Sequence, residues 1–108
     1  MNKSTPELIF FLKAWRITTK THTTTLNSII LLKDLLEDGQ LKSSVVRTIE
    51  TLKKKTYTDS DITKSFKEDK SLPTFVINSI NFGLKTGAMA EILTAAIERL
   101  ETEVDILP

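Results

Sequence analysis

The chain of 108 residues contains no cysteine, so disulfides and thiolate metal sites are excluded. That absence leaves the redox compartment open, and a cytosolic one is compatible with it. Only one histidine occurs, His22, in the threonine-rich stretch "TTKTHTTT". A serine or threonine nucleophile needs a positioned base, and no second ligand or nucleophile stands beside this imidazole. A capping or surface role suits it better than catalysis. H-E-x-x-H, C-x-x-C and P-loop patterns are absent. "GLKTG" lacks the P-loop spacing, and an apolar helical pattern precedes it instead of a strand. The sequence therefore predicts a non-enzyme, with no catalytic, metal-ligating or cofactor-binding residue.

Long apolar runs are missing too. No stretch reaches the roughly 18–20 residues that a membrane span needs. "ELIFFL" is too short for a signal-peptide core and is bounded by Glu7 and Lys13. Nor is there an excess of charge: Lys plus Arg is 15, Asp plus Glu is 14, and the net charge is +1. Nucleic-acid binders draw their affinity from a basic surplus, so that class is disfavoured. What remains is ordinary globular stock, 40% hydrophobic and 27% charged, in a length that suits one domain.

The dominant period is helical, strand-type alternation is nearly absent, and six helices are predicted with short connections. The first opens at "STPELIFFLKAWRI", with Thr5 as cap, Pro6 at the first helical position, and Leu8, Phe11, Leu12 and Trp15 on one face. A break falls near Thr21 to Thr24. The second, "TLNSIILLKDLLED", has a broad apolar face of Leu26, Ile29, Ile30, Leu32, Leu35 and Leu36, and is expected to end in a left-handed cap at Gly39. The third runs from Leu41 to Lys55 on the stripe Leu41, Val45, Ile49 and Leu52, with "KKK" as a solvated helix end. In "TYTDSDITKSFKED", Thr58 and Asp61 form a capping-box-like start, and Ile62 and Phe66 face inward. The fifth, in "KSLPTFVINSINF", is capped by Ser71, has Pro73 in its first turn, and is apolar enough to be central. The sixth, "AMAEILTAAIERLETEVDIL", carries the cleanest stripe: Met89, Ile92, Leu93, Ala96, Ile97, Leu100 and Val104. Short loops make sequential helices neighbours, so the predicted fold is an all-α bundle of six antiparallel helices.

Two of the three glycines, Gly83 and Gly87, stand four residues apart in "NFGLKTGAMAEIL". A phosphate cradle, a hinge and a corner between helices all fit that spacing. The corner is the favoured reading: Gly83 ends the fifth helix with positive φ or by lacking Cβ, Thr86 caps the sixth, and Gly87 lets the two helices approach. The acidic outer face of the sixth helix reads first as solvated surface. It also suits a basic partner, or a weak carboxylate site for a divalent ion. Its small residues Ala88, Ala90, Ala95 and Ala96 admit a close neighbour. Ala88, Glu91, Ala95 and Glu98 are the candidate interface residues, with the first and last helices contributing to self-association.

"LPTFVINSINFGLKTGAMAEILTAAIERLE" resembles the end of the cytoplasmic domains of the type II secretion F family, the inner-membrane platform proteins of type II secretion systems and type IV pili. The family pattern is a proline-led apolar helix, a "GE-x-x/S-G" turn, then "L-x-x-x-L" in a helix ending in acidic residues. Pro73, the pair Gly83 and Gly87, Met89 with Leu93, and Glu98 with Glu101 take those positions. "TDSDITKSF" is similar to the family's "G-x-S-L-S-x-A-L" element, with Ile62 and Phe66 as its apolar pair. The family's glutamate after the first glycine is Leu84 here, and the glycine before the fourth helix is missing. The resemblance covers the last half of the chain, and the six-helix count agrees over the whole. It implies a bundle, often dimeric, on the cytoplasmic face of the bacterial inner membrane, ahead of a first membrane span. It also implies contact with an assembly ATPase and other pilus or secretion components, without covalent chemistry and without nucleic acid. The closing "EVDILP", an apolar run and a proline with no polar tail, then reads as a boundary before such a span. The alternatives are a soluble regulatory domain binding nucleic acid and a helical adaptor of unknown context. A recognition helix after Gly39 or Gly87 meets the first alternative poorly, because it offers only Lys42 and Arg47 in one case and an acidic face in the other.

Overall fold

Thr24, the pair Thr58 and Asp61, and Pro73 mark the starts of three helices. The computed structural model describes residues 4–21, 24–54, 56, 58–69 and 72–106, without the side chains of residues 4, 59, 69 and 104–106. His22, Lys55, Ser71 and the ends of the chain lie outside the described residues, so the proposed caps and tail at those positions have no structural counterpart here. Six helices are present: α1 Ser4–Thr18, α2 Thr25–Lys33, α3 Gln40–Lys53, α4 Asp59–Asp69, α5 Thr74–Thr86 and α6 Met89–Ile106. No strand occurs among the described residues.

Several boundaries differ from expectation, each for a local reason. α1 already includes Ser4, so Thr5 is helical and Pro6 lies in the first turn, not at its first position. It still costs no hydrogen bond there, because first-turn N–H groups have no helical partner. At the other end, the hydroxyls of Thr18 and Thr19 donate to the carbonyls of Trp15 and Arg16 at 2.7 Å and tie off the helix. Thr24 caps α2 by accepting the Asn27 N–H at 3.2 Å. α2 stops at Lys33, where Leu35 and Leu36 donate back three residues and tighten the turn. That tightening sends Leu36 into the core and leaves Leu35 at 56% exposure. Gly39 has φ 163°, extended backbone open to any residue, and is the N-cap of α3 instead of a left-handed C-cap. Thr58 and Asp61 form the reciprocal box: the Thr58 N–H donates to Asp61 Oδ2 at 2.9 Å, and the Asp61 N–H donates to Thr58 Oγ1 at 3.4 Å. Pro73 is the N-cap of α5, outside the helix, where its carbonyl accepts the Val76 and Ile77 N–H groups.

Each helix packs on its chain neighbours, and α1 packs on α6, so the principal contacts close a ring. The radius of gyration is 13.2 Å, close to the roughly 13 Å of a compact body of about 100 residues. Inside the ring, Trp15 from α1 meets Phe66 from α4 with ring centroids 6.2 Å apart, and Phe11 stands edge-on to Trp15 at 5.7 Å. The stripes of α1, α3, α4 and α6 fill the rest of this core, with Leu12, Val45, Ile62 and Leu93 fully buried. α5 is one member of the ring, not its centre. It buries Val76, Ile77 and Ile80 but leaves Phe82 59% exposed.

Candidate functional site

The α5–α6 corner assigns its two glycines the reverse of their expected roles. Gly83 lies inside α5, buried, three residues before its last residue, Thr86. A Cβ there would stand 2.6 Å from Met89 Sδ and 3.2 Å from Met89 Cα. Close packing of α5 on the first turn of α6 is therefore what requires glycine at 83. Gly87 carries the positive φ, 76°, as the left-handed C-cap of α5, and its N–H donates to the Gly83 carbonyl at 3.0 Å. A Cβ at Gly87 would meet nothing within 4 Å, so conformation, not space, favours glycine there. Thr86 is the last residue of α5, not the N-cap of α6. Its hydroxyl donates to the Phe82 carbonyl at 2.9 Å and accepts the Ala88 N–H at 3.2 Å, bridging the two helices through the turn. Leu84 is half-buried and packs against the core.

The candidate interface residues of α6 separate from the helix's other small residues. Glu91, Ala95 and Glu98 are exposed and Ala88 is half-buried at the turn. Ala96 belongs to the chain's own core, whereas Ala90 is half-buried and lines an open cleft with Arg16 and Ile17 of α1. The α1–α6 seam is held by Lys13 to Glu101 at 3.1 Å and by Arg16 Nη1 donating to Thr94 Oγ1 at 3.0 Å. Arg99 lies 3.9 Å from the centroid of the Phe75 ring and 3.5 Å from Glu103.

No group of three or more His, Asp or Glu side chains gathers into a metal-holding cluster among the described residues. No described helix is long and apolar enough to cross a membrane. Around Gly39 the charges are mixed: Lys42 pairs with Asp38 at 3.6 Å, and Glu50 shares the same shallow cleft as Arg47. A continuous phosphate-facing surface is not present on that side.

A second surface escaped the sequence reading. Pro6, Glu7 and Phe10 of α1 and Leu35, Leu36 and Glu37 of the α2–α3 connection line an open groove of about 470 Å³. Phe10 was legible in principle, because it falls off the stripe of Leu8, Phe11, Leu12 and Trp15. Leu35 was not, because helical continuation would have placed it on the buried face. No family model, curated protein or solved structure matches the chain.

Proposed function

We propose that this chain is the cytoplasmic domain of an inner-membrane platform protein of a type IV pilus or type II secretion system. On this reading the six helices form an antiparallel bundle that acts as a rigid body. It relays movement from an assembly ATPase to pilin or pseudopilin polymerisation by surface contact. The full-length protein would sit in the bacterial inner membrane, with homodimerisation through α1 and α6. One observation carries the reading. Both members of the glycine pair at the heart of the family-like segment have a structural reason, Gly83 through close packing against Met89 and Gly87 through its left-handed backbone. The spacing that carries the resemblance is thus the spacing the corner needs. The all-helical architecture of the described residues is compatible with an adaptor.

Deleting the gene in its host, then imaging surface filaments and assaying secreted proteins, tests the proposal. Loss of either output, restored by the intact gene, supports it; wild-type filaments and secretion in the deletion strain refute it. Binding to labelled duplex DNA at low salt would instead favour the regulatory alternative.

A further inference from the structure

α2 is apolar on both sides, yet it stands at the edge of the ring and packs chiefly on α1 and α3. Ile29 and Leu32 face the core. Leu31 remains 57% exposed, Leu35 one turn later 56%, and Phe10 across the groove 48%. A helix that is apolar all round is ordinarily buried all round, and exposed apolar surface gathered at one place marks contact with another molecule. The outward half of α2 lacks such a contact within this chain.

The groove is also acidic. Glu7 and Glu37 stand on its walls. Oε1 of Glu7 is buried and has no hydrogen-bond partner among the described residues. Lys33 lies 3.9 Å from Asp34 and Lys42 lies 3.6 Å from Asp38, so each of these two cations already has a carboxylate beside it. Glu7 and Glu37 put two carboxylates on the walls of an open groove, where a guanidinium or ammonium arriving from outside would form charge-assisted hydrogen bonds. The same carboxylates repel an anionic lipid surface, so a membrane is a poor occupant.

We propose that the groove between the first turns of α1 and the α2–α3 connection binds a basic amphipathic helix of a partner protein. Its apolar side chains would cover Phe10, Leu31 and Leu35, and an arginine or lysine would meet Glu7 and Glu37. This is helix-in-groove recognition with charge setting orientation. The inference does not rest on the platform reading and survives or fails separately from it.

The probe is a fluorescein-labelled synthetic helix with leucine at every third or fourth position and arginine on both flanks. Its counterpart carries glutamate in place of arginine. Fluorescence anisotropy should show binding of the arginine peptide, weakened by salt, and no binding of the glutamate peptide. Phe10→Asp or Leu35→Asp should weaken binding by at least about tenfold. Glu7→Gln with Glu37→Gln, which keeps side-chain volume, should remove most of the salt dependence. Glu7→Lys with Glu37→Lys should reverse the preference between peptides. Circular dichroism confirms that each variant remains folded. Equal binding of both peptides, binding of neither, or unchanged binding to the Phe10→Asp and Leu35→Asp variants overturns the proposal. So does a concentration-dependent dimer that Phe10→Asp dissolves while the peptide fails to compete, because the groove then belongs to a second copy of the chain.

Discussion

Replacing Gly83 with alanine sets two effects of known sign against each other. Inside a helix, alanine is favoured over glycine by about 0.5–1 kcal/mol, because glycine loses more backbone freedom on folding. Gly83 lies within α5, so that gain applies in full. Against it stands the space. The new Cβ would lie 2.6 Å from Met89 Sδ, 3.2 Å from its Cε and 3.2 Å from its Cα. The thioether is flexible and can turn aside at small cost. The Cα cannot, so the first turn of α6 must withdraw by a few tenths of an ångström from a helix it packs against closely. Overpacking of this kind costs about 1–3 kcal/mol. Crowding wins, and Gly83→Ala should lose about 1 kcal/mol net, lowering the melting temperature by about 4–8 °C. Urea unfolding followed by far-ultraviolet circular dichroism measures it. Gly83→Val should lose more, since its branched Cβ adds two methyl groups to the same space. Repeating Gly83→Ala in a Met89→Ala background should leave most of the loss in place, because the residue-89 Cα that crowds the new Cβ is still there. If Gly83→Ala stabilises the protein, as at an open helical position, the close-packing account of the corner is wrong.

The remaining predictions separate backbone, cap, core and surface effects. Gly87→Ala should cost about 1 kcal/mol through its left-handed backbone alone, and Gly87→Asn should cost less, since asparagine tolerates that conformation; a melting comparison of the two decides it. Thr58→Ala removes the α4 capping box and should cost about 1 kcal/mol, read from the urea midpoint. Phe66→Ala should cost about 3–5 kcal/mol by opening a cavity against Trp15, seen as a red-shifted Trp15 emission at lower denaturant. Glu101→Gln breaks the Lys13 pair, whose side chains are 44% and 46% exposed, so the loss should stay below about 1 kcal/mol and shrink as salt is added.

The platform reading and the groove proposal draw on different parts of the molecule. The first rests on the α5–α6 corner and the motif that contains it. The second rests on α1, α2 and the connection to α3, where the family-like segment does not extend. A protein that relays motion needs at least two contact surfaces, and the groove lies apart from the residues of α6 first offered as an interface. Glu91, Ala95 and Glu98 are exposed as that expectation requires. Ala96 is engaged within the chain, because a small residue also permits close packing in the core.

Much of the fold was legible along the chain. Helical period alone placed Leu8, Phe11, Leu12 and Trp15 inward, as it did Leu41, Val45, Ile49 and Leu52, because a regular helix carries residues three and four apart to one face. Thr58 and Asp61 were legible as a box because capping is local, with donor and acceptor three residues apart. Two scarce glycines located the corner without telling which did what: a positive φ and a missing Cβ look alike in a sequence. Only the approach of Met89 to Gly83, and the backbone of Gly87, distinguished them. Leu35 shows the same limit from the other side. Its apolar character predicted burial, but the tightened end of α2 turned it outward beside Phe10 and created the groove. The sequence by itself determined the helices, their inward faces and the lack of cysteine or any familiar catalytic motif, because those follow from composition and local spacing. The closure of α1 onto α6, the packing role of Gly83 and the exposed half of α2 were decided only by tertiary structure, because each depends on which distant residue arrives as neighbour.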